Sequence, residues 1–304
     1  MTPARIALTH LDSLWLQVTG TLCNLACTHC FNNSGPGVRT FTQLDADEVW
    51  RALRSAAQMG VKEVFFTGGE PFLHPRLPDM LRDALTVAPT TVLTNGTLLR
   101  EVMVEELAAI EREARYSLEI RISLDGYTAE SNDALRGSGV FYRVLDAVAR
   151  LSRHGLLPLV TIVRTWPEEE EMDVIAGFVR TLEEAGYARP RLKILPSLPL
   201  GRALPQDAQE DGPGITTDMM QGFDPSLLMC SSSRILTSRG VWVCPLLVEV
   251  PEGRMGHDLQ SASGEFALAH TACRTCYRYG TLCANVSSGI EGTAEGHAGT
   301  GDKP

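Results

Sequence analysis

Leu14-Trp15-Leu16-Gln17-Val18, followed closely by Cys23-Asn24-Leu25-Ala26-Cys27-Thr28-His29-Cys30, is the stretch on which the reading of this chain turns. The first part is a short apolar run of strand length, and the second is a C-x3-C-x2-C loop at that strand's carboxyl end. Three thiolates in one tight loop suit three irons of a 4Fe–4S cluster and leave the fourth iron without a protein ligand. That open iron can bind and reduce a substrate or cofactor. The competing reading is a structural zinc site with His29 as fourth ligand, although structural zinc usually draws on two paired knuckles rather than a triplet.

Outward from this loop, further strand-like runs fall at Glu63 to Thr67, Thr91 to Thr94, Glu119 to Leu124, Leu159 to Val163 and Arg191 to Leu195. Between them the spacing predicts helices over Asp45 to Met59, Leu77 to Val87, Glu101 to Ile110, Tyr142 to His154 and Met172 to Glu184. Six strands alternating with five helices call for a parallel α/β sheet, a partial (β/α)6 barrel over residues 1–205. In barrels of this kind the chemistry gathers at the carboxyl ends of the strands. Pro196, Pro199, Pro205 and Pro213 then read as a linker. Residues 206–287 have little helical periodicity and five of the eight cysteines, which predicts a small metal-stapled second domain. Residues 288–304 read as a disordered tail.

The full chain has 304 residues with 44% hydrophobic side chains, enough for a large core, and no stretch near the roughly 18 apolar residues needed to span a bilayer. Met1 to His10 lacks the pattern of an export signal, so a cytoplasmic placement is expected, where eight cysteines point to metal or redox chemistry rather than disulfides. With 37 acidic against 27 basic residues the formal charge is −10, which disfavours nucleic acid.

Two more strand ends carry polar clusters. The second ends in Thr67-Gly68-Gly69-Glu70-Pro71, where glycines admit close backbone approach and Glu70 offers oxygens to an ammonium group. The fourth ends in Ser123-Leu124-Asp125-Gly126, suited to ribose hydroxyls. Alone each is an ordinary turn signal. Together with the cysteine loop, and in this order, they resemble the radical S-adenosylmethionine (SAM) superfamily over roughly Leu14 to Leu195. The resemblance implies that Cys23, Cys27 and Cys30 ligate a 4Fe–4S cluster whose open iron is chelated by SAM. It places the methionyl amino group at Gly68, Gly69 and Glu70 and the ribose at Ser123 and Asp125. His29 stands where the family usually has an aromatic beside the adenine, and Arg136 and Arg164 are candidates for the methionyl carboxylate or for plain surface charge. The implied chemistry is a 5′-deoxyadenosyl radical that abstracts hydrogen from an inert C–H bond, fed by a flavodoxin- or ferredoxin-type electron donor.

The later cysteines, Cys230, Cys244, Cys273, Cys276 and Cys283, allow a zinc ribbon on spacing alone. Beside a radical SAM barrel they resemble the SPASM and Twitch extensions of the same superfamily, which carry auxiliary 4Fe–4S clusters. Five cysteines suit the one-cluster Twitch type, with Cys230, Cys244, Cys273 and Cys276 as ligands. Whether Cys283 replaces Cys273 is left open, as is whether a spare Cys283 is a buried bystander or a hydrogen donor to a substrate radical.

Such enzymes modify ribosomal peptides, mature other proteins, or oxidise and epimerise sugars and cyclitols. The first strand begins near Leu14, so no N-terminal peptide-recognition domain is expected. Size, one auxiliary cluster and negative charge lean towards a small polar substrate, an aminocyclitol or amino sugar, undergoing dehydrogenation or epimerisation. A maturase acting on a ribosomally made peptide is the alternative, and a zinc-stabilised binding protein the remote one.

Overall fold

A computed structural model describes residues 2–197, 200–203 and 214–280. The chain begins with β1 (Arg5–Ile6) and enters the barrel at β2 (Ser13–Gln17). It continues through α1 (Ala46–Gln58), β3 (Glu63–Thr67), α2 (Leu77–Val87), β4 (Thr90–Thr94), α3 (Glu101–Glu113), β5 (Leu118–Ser123), α4 (Ala129–Arg136), α5 (Val140–Arg153), β6 (Leu159–Val163), α6 (Glu171–Glu184) and β7 (Arg191–Leu195). The strands pair in parallel in sequence order from β2 to β7. This is the partial barrel expected, with boundaries within a few residues of those read from periodicity.

Local chemistry accounts for the elements. Asp45 caps α1 in a reciprocal capping box with Glu48, as carboxylates at helix starts do. Along β2, Leu14 and Leu16 join the large cluster shared with the helices. Trp15 between them joins Phe41, Phe65, Ile235 and Trp242 on the other face, the period-two alternation of a strand buried on both sides. Helix α4 was not anticipated. Its buried residues are Asn132 and Arg136 rather than apolar side chains, so it leaves no hydrophobic period to read.

The expected boundary near residue 205 falls in a stretch outside the described residues. Beyond it the chain returns to the barrel sheet. β8 (Ser233–Thr237) lies parallel to β2, followed by antiparallel β9 (Gly240–Trp242) and β10 (Arg254–Gly256), giving one sheet of nine described strands. β11 (Phe266–Ala267) pairs with β1, and α7 (Cys273–Tyr279) follows. Ala4 and Ile6 from the N-terminus share an apolar cluster with Ile215, Leu228, Leu246 and Phe266. The cysteine-rich segment therefore has more core than its own residues supply. No described helix is long and apolar enough to cross a membrane.

Candidate active site

The cysteine loop is held from several elements. Cys23 N donates to Gly35 O (3.2 Å) and Thr28 N to Leu135 O at the end of α4 (2.9 Å). From beyond β7, Arg202 N donates to Cys30 O (3.0 Å), its Nε to Cys27 O (2.8 Å) and its Nη2 to Ser34 O (2.7 Å). Gly201 packs so close that a Cβ there would overlap the carbonyls of Cys30 and Phe31, and its φ of +56° lies in the region that favours glycine. Cys23 is buried, and burial pushes its thiol up to about 11. Asn95 Nδ2 donates to its Sγ at 3.7 Å.

The loop opens on a cavity of about 220 Å³ at the carboxyl ends of the barrel strands, lined by all three cysteines with Gly68, Gly69, His29, Ser123, Asp125 and Arg136. These residues, marked separately in the sequence, line one cavity. Gly69 is obligatory, since a Cβ there would overlap the Leu22 carbonyl. Asp125, 3% exposed, is already engaged. Its Oδ2 meets His29 Nε2 (2.9 Å) and Arg136 Nε (2.6 Å), and its Oδ1 accepts from Val163 N (2.8 Å). Burial works to raise its pKa, but the Arg136 charge and the His29 and Val163 hydrogen bonds hold it down to about 2. Asn132 Oδ1 accepts from Asp125 N (3.1 Å).

Two expected site residues sit differently. Glu70 is fully buried and is not among the cavity-lining residues. It caps the short turn Pro71–Leu73, which folds its carboxylate back to accept from Phe72 N (3.1 Å), Thr94 Oγ1 (2.7 Å) and Asn95 N (2.8 Å). Burial pushes its pKa up to about 7. Arg164 is absent from the lining because the acidic run after β6 captures it, with Nη2 2.6 Å from Glu171 Oε2. Conversely, Asn95 and Arg202 were overlooked. Asn95 directly follows β4 and was open to the strand-end logic used elsewhere, whereas nothing in the sequence around Arg202 marks it.

The second set also converges. Cys230, Cys244, Cys273 and Cys276 are all buried and line one small pocket with Leu228, Leu246, Phe266 and Leu268. Burial and the neighbouring cysteines raise the Cys230 thiol, and burial pushes Cys273 up to about 12. Cys283 lies outside the described residues.

The donor sets fit iron–sulfur clusters better than single metal ions. Among the described residues neither set brings three sulfurs within 4.8 Å of one another, whereas a tetrahedral zinc holds its sulfurs roughly 3.8 Å apart. The cavity at the strand ends also fits a polar cofactor. His29 Nδ1, Ser34 Oγ and Thr161 Oγ1, all in residues that line it, are buried without hydrogen-bond partners among the described residues, and a bound ligand would supply such partners.

A parallel barrel with three cysteines on one loop and a cavity at its strand ends is the arrangement of a cofactor-dependent enzyme. The family model for the radical SAM superfamily matches residues 18–178, and the chain belongs to that superfamily, whose cofactors are SAM and a 4Fe–4S cluster. It is 28% identical over 181 residues to the probable GTP 3′,8-cyclase of Archaeoglobus fulgidus, covering 58% of this chain and 57% of that protein. It is 29% identical over 218 residues to the mycofactocin maturase MftC of Mycolicibacterium smegmatis, covering 71% and 51%. The chain thus spans about half the length of these curated relatives. Native anSMEcpe with bound AdoMet and Cp18Cys peptide shares the fold, with a TM-score of 0.58 at 16% identity over 82% of this chain and 79% of that one.

Proposed function

We propose that this chain is a radical SAM enzyme that modifies a peptide. Cys23, Cys27 and Cys30 hold the radical cluster, and Cys230, Cys244, Cys273 and Cys276 hold one auxiliary 4Fe–4S cluster. Gly68, Gly69 and Ser123 surround SAM together with the His29–Asp125–Arg136 group, which orients it. When bound, the reduced cluster and SAM supply the superfamily's hydrogen-abstracting radical chemistry, with the electron coming from a flavodoxin- or ferredoxin-type donor.

The choice of substrate rests on one observation. Apart from the positions assigned to cofactors, much of the cavity wall is carbon: Phe31, Val163, Leu195, Pro196, Ala203 and Pro245. The lining also offers polar groups such as Ser34, Thr161 and Arg202. A many-hydroxyl sugar or aminocyclitol would still set some hydroxyls against carbon, at a cost of about 1–3 kcal/mol for each one left unpaired, whereas an amino-acid side chain suits a mixed wall. The relatives support the same reading, since MftC is named a maturase and the anSMEcpe structure holds a peptide. A peptide therefore displaces the small polar substrate expected from size and charge. Oxidation is the favoured outcome, because Phe31 both lines the cavity and packs against the apolar shell of the second cysteine set. Phe31 would then lie between the substrate and an auxiliary cluster able to accept one electron.

The test is hydrogen transfer. Reconstituted enzyme with SAM and dithionite is given deuterated synthetic peptides or a deuterated aminocyclitol panel, and 5′-deoxyadenosine is analysed by mass. Deuterium arriving from a peptide supports the proposal. Deuterium arriving from an aminocyclitol and from no peptide overturns it.

A further inference from the structure

Arg234, on β8, is fully buried. Its side chain donates to carbonyls: Nε to Ala262 (2.8 Å), Nη1 to Cys230 (2.8 Å) and Ser233 (2.7 Å), and Nη2 to Gly264 (3.5 Å). Among the described residues no carboxylate influences it, and the groups that raise its pKa against burial are Cys230 and Cys244. An unpaired cation removed from water costs several kcal/mol even after relaxation, and carbonyl dipoles offset part of that. Buried cations are otherwise paired with a negative charge. The groups within electrostatic reach that can carry the missing negative charge are the two cysteines, as thiolate ligands.

We propose that Arg234 is the permanent counter-charge of the second cysteine site and holds the reduction potential of the iron–sulfur cluster there above the value that its apolar pocket would impose. This rests on the reading of Cys230, Cys244, Cys273 and Cys276 as ligands of one 4Fe–4S cluster. Four thiolates around a core of charge 2+ carry a net −2, and one-electron reduction takes the assembly to −3. A fixed cation alongside favours the more negative state, and burial strengthens that preference. The site is then a better acceptor for an electron released by an oxidised substrate.

The experiment is a potentiometric titration of the full reconstituted chain followed by electron paramagnetic resonance. The second-site signal is identified as the one that survives when Cys23, Cys27 and Cys30 are replaced. At the parent's midpoint, Arg234→Gln should lower the reduced-to-oxidised ratio about tenfold, which is 59 mV for a one-electron couple. Arg234→Lys keeps the charge and loses the fork, and should stay close to the parent. Where the second-site signal is too weak to titrate, thermal melting decides. Arg234→Gln should melt earlier than the parent in the holo form, and no earlier once a chelator has removed the clusters and left the parent's cation bare. Equal potentials in all three proteins, or equal loss of Tm in holo and apo forms, would overturn the proposal. A parent with no iron at the second site would overturn the cluster reading beneath it.

Discussion

Cys23, Cys27 and Cys30 share one loop and line the cavity at the strand ends, whereas Cys230, Cys244, Cys273 and Cys276 come from three separate places and line a small apolar pocket. In the first set Cys27 and Cys30 are partly exposed; in the second all four are buried. The first is bound by hydrogen bonds to its backbone, from α4 and from Arg202, so its geometry survives with a coordination position left open. The second is set by packing, with four buried cysteines in one apolar pocket and the Arg234 guanidinium bonded to the Cys230 carbonyl. On the function proposed above, three donors on an ordered loop leave room for an exchangeable ligand, and four donors in a closed shell would serve electron transfer.

The comparison breaks most visibly with the cysteines themselves. The parent should bind roughly eight iron and eight sulfide, from two four-iron clusters. Replacing Cys23, Cys27 and Cys30 together by Ala should remove half of the iron and abolish SAM cleavage. Replacing Cys230 and Cys244 should also remove half, yet leave cleavage measurable. Unchanged iron in the first variant, or zinc in place of iron, would show that the two sites do not differ in this way.

Glu70 sharpens the account of the first site. With three donors to its carboxylate, Glu70→Ala should cost about 3 kcal/mol or more in urea unfolding, and SAM binding should weaken through the displaced Asn95. A residue that only received an ammonium group would lose affinity with stability intact, so measuring both separates the roles.

Asp125→Asn should cost about 2–3 kcal/mol at neutral pH. Because the folded pKa is held down to about 2, the stabilisation is present above the unfolded value near 4 and is lost as pH falls from about 4 towards 2. Denaturant melts at pH 7 and pH 3 should therefore show the gap between parent and variant closing at the acid end. A gap independent of pH would mean that the Arg136 ion pair and the His29 contact contribute little.

The smallest effect is expected at Arg202, which is partly in solvent. Arg202→Ala should lower stability by on the order of 1 kcal/mol. It should speed chelation of iron from the first site without changing the second. Equal acceleration at both sites would argue for a general loosening instead.

What was legible in the sequence was local. The capped helices, the period-two strands and the C-x3-C-x2-C loop each depend on residues a few positions apart, so the barrel and its cluster loop could be read directly. Helix α4 could not, because it buries Asn132 and Arg136 for the site's sake and so breaks the hydrophobic pattern. Glu70 and Arg164 were marked by type and position, yet their partners, Thr94 with Asn95 and Glu171, are decided by how the turns fold back.

The succession of strands and helices from β2 to β7 and the cysteine loop were thus written in the sequence, since periodicity and short-range spacing set both. Tertiary structure alone decided which charges meet. His29, Asp125 and Arg136 come together from three elements, Arg202 reaches the cysteine loop across more than 160 residues, and β8 returns to β2 to bury Arg234 beside Cys230. The reason is physical: a buried charge is stable only where distant segments supply its partners, and those encounters are set by chain topology rather than by neighbours in sequence.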